Sequence, residues 1–423
     1  MREHPLRYAL VNELHARPHP ELVAPARASF YAFVRDEDPA ADQAHLLAYC
    51  RRLGLAQPAP DAKQHTARTG ALTLTWESHT EFTSWLFLRE GAAEPFTERA
   101  VEHAPADWWQ ATPGELLVAV HFEIVGQEHP EPDEAALARW FARDSLCSAN
   151  VHRGRGAVWT DFRIHADGAA RLFVRNLGMT PLQTGRTVQR LAELETYRAL
   201  ALLALPLAQD ASPRIRRVDL ALTALTTRLN RITGLEDQRA ALRELTQLAA
   251  EIEQLAATTA YRFGATAAYH ALVQERLEAV REPLASSGRL AIAEFVDRRL
   301  LPAIRTCDSV ATRAEGVARR LSRSLNLLRT QVDVAVETQN RDLLASMNQR
   351  ARLQLRLQET VEGLSIAAIT YYVVGLVGYL AKGAQTLWPA LSVPRVQAAA
   401  IPFVAAALWW SLRRVRARLA ARG

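Results

Sequence analysis

Apolar and polar positions along the chain change period twice, and each change marks a different kind of structure. Over the first 180 residues short alternating runs dominate. Gly70–Glu77 puts Leu72, Leu74 and Trp76 on one side and Thr73, Thr75 and Glu77 on the other. That is the period of a strand, whose successive side chains point to opposite faces. Phe82–Leu88 and Leu116–Ile124 read as further strands. Ala157–His165 alternates Val158, Phe162 and Ile164 against Trp159, Asp161, Arg163 and His165, and Asp167-Gly168 separates it from Ala169–Arg175. Asp-Gly between two such runs predicts a hairpin. Asp133–Asp144 reads as a helix. Residues 1–180 are thus expected to form an α+β domain with a mainly antiparallel sheet.

From 183 to 362 the apolar period becomes three to four, which predicts a long helical bundle or coiled-coil stalk. Breaks are expected near Pro206–Pro213, Gly234, Pro283–Gly288 and Pro302, with Ser212-Pro213 opening a helix as cap and first turn. A narrow stripe then runs through Val317, Leu321, Leu325, Leu328, Val332, Val336, Leu343, Met347, Leu353, Leu357 and Val361. It predicts one helix of about 60 residues, or about 90 Å at the helical rise. Only Gly363 separates this stripe from the next change of pattern.

Two uncharged apolar runs follow, 364–381 and 396–412, and a basic tail, 413–423, closes the chain. Each run approaches the roughly 20 residues needed to cross a bilayer core, so 364–412 is expected to be a transmembrane hairpin. Arg350, Arg352 and Arg356 precede it, and Arg413, Arg414, Arg416, Arg418 and Arg422 follow it as a membrane-interface cluster. The excess of arginine at both ends places the body and the tail in the cytoplasm. Tyr371, Tyr372, Tyr379, Trp388, Trp409 and Trp410 suit the membrane boundary. The first twenty residues contain no apolar core of a signal peptide. The tail accounts for five of the six net positive charges, so the basicity speaks for anionic lipid rather than nucleic acid. Three scattered cysteines, Cys50, Cys147 and Cys307, suit a reducing compartment.

Several long motifs occur together and in order: NELHARPHP (Asn12–Pro20), WESHTEF (Trp76–Phe82), WTDFRIHADG (Trp159–Gly168), GRTVQRLAELETYRALALLALP (Gly185–Pro206) and AYRFGATAAY (Ala260–Tyr269). QNRDLLASMNQRARLQLRLQETVEGLSIAAITYYVVGL (Gln339–Leu376) completes the set. Over nearly its whole length the chain resembles the bacterial family catalogued as domain of unknown function 3422, uncharacterised membrane-anchored proteins. The resemblance implies the inner membrane of a Gram-negative bacterium and supplies no catalytic residues. The layout is also similar to that of CorA-type magnesium channels, but their Gly-Met-Asn after the first span is replaced here by LAKGAQTLWPAL. That similarity concerns shape only.

Candidate chemistry is sparse. P-loop, dinucleotide-fold, zinc-protease and nucleophile-elbow motifs are absent from the sequence. His79-x-Glu81, His121-x-Glu123 and His165-x-Asp167 would each share a strand face, but without a second converging cluster they define no metal site. Arg186, Arg190, Glu193, Glu195, Tyr197 and Arg198 load one helix with more charge than a solvated face needs, which suggests a polar joint, with a ligand site as the sharper reading. His15 and Arg17, among the prolines of HARPHP, belong to an extended arm. Asp161 and Arg163 mark the other polar strand. Arg153-Gly-Arg155-Gly is too short for a phosphate loop and reads as a turn. The expected function is a membrane-anchored, self-associating structural or interaction protein. Its partners are the bilayer and further copies of the chain, and no cofactor is identifiable. An oligomeric two-span channel is the alternative, and an enzyme with its site around Trp76–Phe82 and Trp159–Asp167 a further one.

Overall fold

The computed structural model describes residues 3–8, 10–11, 20–35, 40–60, 62–229, 231–232, 234–284, 288–384 and 392–420, with side chains beyond 411 only at 413 and 414. His15, Arg17, Trp388 and Arg422 lie outside the described residues, as do the side chains of Arg416 and Arg418.

Two compact units divide the chain: Met1–Arg231 with Arg243–Leu325, and Ile232–Leu242 with Asn326–Gly423. The first unit is built on an eight-stranded sheet in the order β2-β3-β4-β1-β5-β8-β7-β6. Its strands are β1 (Ala26–Val34), β2 (Gln64–Thr69), β3 (Leu72–Ser78), β4 (Phe82–Glu90), β5 (Glu115–Val125), β6 (Cys147–Val151), β7 (Gly156–Thr160) and β8 (Ala170–Asn176). Every neighbouring pair is antiparallel except β5 and β8. The alternation in Leu72, Leu74 and Trp76 does place all three in one core cluster.

Strand β1 has no counterpart in the alternation argument, and burial explains why. Its even positions Ala26, Ala28, Phe30 and Ala32 join one core, while Tyr31 and Phe33 join the core on the opposite face. A strand covered on both sides reads as a continuous run rather than an alternation. One cover includes α4 (Pro181–Leu202), whose Val188, Leu191, Leu194 and Leu200 join the core on that face of the sheet. The other includes α1 (Ala41–Arg52), with Leu46 and Tyr49, and α2 (Ala106–Gln110), with Trp108. A short helix, α3 (Glu134–Trp140), begins at Asp133, whose side chain accepts the Ala136 N–H at 2.7 Å. It is the core of the helix expected over Asp133–Asp144.

The helices depart from the expected breaks. α5 covers Ala204–Leu229 and contains Pro213 internally, so the break falls at Leu203 and Ser212-Pro213 opens nothing. Pro206 lies in the first turn, where its missing N–H costs no helical bond. α6 runs Leu235–Leu277, after the break at Gly234. α7 runs Ile292–Ala384, 93 residues, and passes through Pro302 and Gly363 without interruption. It is therefore longer than the stripe predicted.

The second unit takes the ends of α6 and α7 together with α8 (Val393–Ala420). Within α7, one 18-residue window has a mean hydropathy of 1.8, long and apolar enough to cross a membrane by length and composition.

Candidate functional site

Most of the polar residues singled out above gather around α4. Its start is fixed locally: Thr180 accepts the Gln183 N–H at 3.3 Å, Gln183 accepts the Thr180 N–H at 2.9 Å, and Pro181 occupies the first turn. This reciprocal box satisfies two of the donors a helix start leaves open. The segment Pro20–Glu21 crosses the helix at Gly185, where a Cβ would overlap the Pro20 carbonyl oxygen. Leu22 donates its N–H to the Pro181 carbonyl at 3.1 Å.

The charged face of α4 pairs partly outward and partly along itself. Glu193 accepts from Arg276 of α6 at 2.5 Å instead of pairing with Arg190. Glu195 is buried and bound to Arg198, as its spacing suggested. Arg186 and Arg190 form no ion pair with any described carboxylate. The four-residue step between them brings like charges onto one side of the helix.

Asp161, Arg163 and Arg198 converge on a cleft of about 280 Å³ lined also by Asp144, Ser145, Phe162, Phe295 and Arg299. The alternation over Ala157–His165 overran the strand, which ends at Thr160. Phe162 turns the chain out with φ of 54°, a left-handed conformation uncommon for a large side chain. Asp161, 0% exposed, anchors this turn. Its carboxylate accepts the N–H groups of Ala142 at 2.8 Å and Arg163 at 3.1 Å and lies 3.1 Å from His165 Nε2. Arg163 then reaches Ser145 at 2.9 Å and Asp144 at 2.5 Å. The rings of Phe162 and Phe295 stack at 5.3 Å, with Arg198 4.9 Å from the first and Arg299 3.8 Å from the second. The buried Cys147 thiol is pushed well above its ordinary range by burial, so it is no ready nucleophile. The carboxylates of this cleft already have cationic or N–H partners, which suits a recognition or packing surface better than proton transfer.

His79 and Glu81 do not share a strand face, because they occupy the tight turn between β3 and β4. His79 stacks on Phe82 at 4.1 Å and lies 3.5 Å from Glu77. Glu81 turns toward α6, accepting from Tyr261 and, at 3.0 Å, from Arg262. Burial works against its charge, but bonds from Tyr261, Tyr269 and Arg262 outweigh it and hold Glu81 below the ordinary carboxylate range. This is a polar joint between the sheet and α6. His165 and Asp167 are likewise off the strand; Asp167 pairs with Arg171 at 3.2 Å.

His121 and Glu123 do share a face of β5, and both are buried. Their neighbours come from β1: Ser29 stands opposite His121 and Arg27 opposite Glu123 in the register. Ser29 Oγ lies 3.1 Å from His121 Nδ1 and accepts the Val101 N–H at 3.3 Å. Glu123 accepts the Phe96 N–H at 2.9 Å. Burial raises the Glu123 carboxyl to about 8, against smaller opposing effects of Phe96 and Arg27. Burial lowers His121 to about 4. Arg27 pairs with Glu98, which His103 also contacts. Sequence reasoning found His121 and Glu123 but not Ser29 and Arg27, two polar residues inside the otherwise apolar run Ala26–Val34. Among the described residues no group of three His, Cys, Asp or Glu side chains is placed to hold a metal ion.

No curated protein matches this sequence. The sequence model of the family described as protein of unknown function (DUF3422) matches residues 2–419, and the chain therefore belongs to that family.

Proposed function

We propose that the protein is a membrane-anchored, self-associating scaffold whose sheet domain is the working end on the cytoplasmic side. The observation that carries this reading is the exposed apolar surface of the second unit. On α7, Leu364 (74% exposed), Tyr371, Tyr372, Leu376, Tyr379 (78% exposed) and Leu380 are uncovered, and on α8 so are Ile401, Phe403, Trp409 and Trp410. Isolated apolar residues on a surface mean little, but a contiguous array of this extent calls for a lipid or protein cover. Arg413 lies 4.9 Å from the Trp409 ring and Arg414 4.0 Å from the Trp410 ring, pairings suited to a headgroup layer. A Cβ at Gly378 would overlap the Gln397 side chain, so α7 and α8 approach closely there, as two adjacent spans would.

Earlier on α7, Leu343, Met347, Leu353, Leu357 and Val361 are exposed along the stripe. Their steps of four, six, four and four residues leave an apolar stripe uncovered along this stretch of helix, and a second copy of the same helix is the occupant that matches it. Two measurements test the proposal. After alkaline washing of membranes the full chain should stay in the pellet, whereas a chain ended before Leu364 should be released. In mild detergent the full chain should elute at a multiple of its own mass. A washed-off full chain overturns the anchor, and a strict monomer overturns the self-association.

A further inference from the structure

In the first unit, the turn joining β6 to β7 faces the side of α4 that bears Arg186 and Arg190. Val151, His152, Thr187, Arg190, Leu194 and Arg276 line a pocket of about 90 Å³ between them. We propose that this pocket binds a phosphate-class oxyanion, either free phosphate or the head of a phosphomonoester.

Charge accounting is the first argument. Arg27, Arg163, Arg171, Arg198 and Arg262 each have a carboxylate partner. Around this pocket the pattern reverses. Arg186 and Arg190, and Arg153 and Arg155 on the turn, form no ion pair with any described carboxylate. Arg276 forms the far wall and is already neutralised by Glu193 at 2.5 Å and Glu275 at 2.6 Å. Like charges four apart on a helix repel, and partial burial makes the repulsion costlier. A bound anion removes that cost.

Donor geometry is the second argument. Arg186 Nε is buried with no hydrogen-bond acceptor among the described groups. Arg27, Arg171 and Arg262 share an open Nε, but each has a carboxylate on its outer nitrogens, whereas Arg186, one turn before the pocket-lining Arg190, has none among the described groups. The Thr187 hydroxyl donates to the Gln183 carbonyl at 2.9 Å, so its oxygen is free to accept from His152 Nε2, 3.1 Å away, and fixes the ring beside Arg190. His152, Arg153 and Gly154 have φ of 52°, 58° and 80°, a left-handed turn that holds the His152 ring against α4. Two non-glycine residues in that region cost conformational energy, and such strain collects where a side chain must be aimed.

Size sets the ligand class. A volume of about 90 Å³ accommodates one tetrahedral anion, well short of the several hundred cubic ångströms of a nucleotide-sized pocket. The His152 ring is held below its ordinary pKa by burial and by Arg190, Arg186 and Arg155. A dianion there reverses the balance, so binding should strengthen as pH falls. The charged groups facing His152 are Arg186 and Arg190 of α4, Arg155 of the turn and the paired Arg276 of α6.

The test uses the full chain in mild detergent, titrated calorimetrically with inorganic phosphate and with glycerol phosphate, and separately with phosphatidic acid vesicles. Saturable binding of either soluble probe in the micromolar to low millimolar range is expected, about tenfold weaker in Arg190→Gln and in Arg186→Gln. Arg298→Gln, on an exposed ion pair of α7, should bind as the parent does. Melting curves of each variant show that it is folded, and His152→Asn should flatten the rise in affinity between pH 8 and pH 6. Phosphate-independent melting with no calorimetric binding at about 10 mM overturns the proposal. So does full affinity in both arginine variants, or binding confined to the vesicles.

Discussion

Glu123 gives the sharpest quantitative expectation. Its carboxyl is 4% exposed and raised from 4.5 to about 8, first by burial. A raised acid means that the folded state holds the proton more tightly than the unfolded chain does. Its contribution to stability is therefore complete below pH 4.5 and is lost as pH rises to about 8. One pKa unit is worth about 1.4 kcal/mol, so at pH 7.5 the loss is on the order of 4 kcal/mol. Glu123→Gln reproduces the protonated acid in shape, keeps an oxygen for the Phe96 N–H, and leaves the Arg27–Glu98 pair intact. The substitution should leave stability at pH 4.5 nearly unchanged and raise it by up to about 4 kcal/mol at pH 7.5. The assay is urea unfolding followed by tryptophan fluorescence at half-unit steps from pH 4.5 to 9, with Trp85 and Trp159 as buried reporters. Parallel pH curves for parent and variant would refute the argument, because they would show Glu123 ionised in both states.

Gly185→Ala should cost about 1–3 kcal/mol by forcing α4 away from the Pro20 carbonyl, seen as a lower midpoint in the same unfolding assay. Asp161→Ala strips the turn after β7 of its acceptor and should cost about 3 kcal/mol, leaving the buried donors around it unsatisfied. Arg262→Met and Glu81→Ala should each cost about 2 kcal/mol, and the double variant much less than their sum. Additivity in that cycle would dissolve the joint between the sheet and α6.

What the sequence made legible depended on how many faces of each element are covered. β3 shows a clean alternation through Leu72, Leu74 and Trp76 because its other face carries threonines. β1 shows none, and with it went half of the buried polar group, since Ser29 and Arg27 reach His121 and Glu123 only across strand pairing. The prolines misled for a local reason. Pro206 sits where a helix lacks the bond anyway, and Pro213 is carried inside a helix that tertiary packing holds through Ala208, Ile215 and Val218. Glu193 stands three residues from Arg190, yet it pairs with a residue 83 positions away, which no helical periodicity can indicate. Glu195 and Arg198, three apart, were readable because their partnership is local.

Double-sided burial of β1 also governs how this domain can change over time. In a strand with one solvent face, a one-residue slip turns its single apolar set out of the core. In β1 the same slip exchanges both sets at once: Arg27 and Ser29 would enter the apolar layer of Ala28 and Phe30, and those side chains would displace the partners of Glu123 and His121. Length variation is thus barred from Ala26–Val34, and the tolerant positions are those such as Gly70, a left-handed turn tip with open space around it. The middle of the sheet is in effect a fixed ruler, against which insertions can accumulate only at the margins.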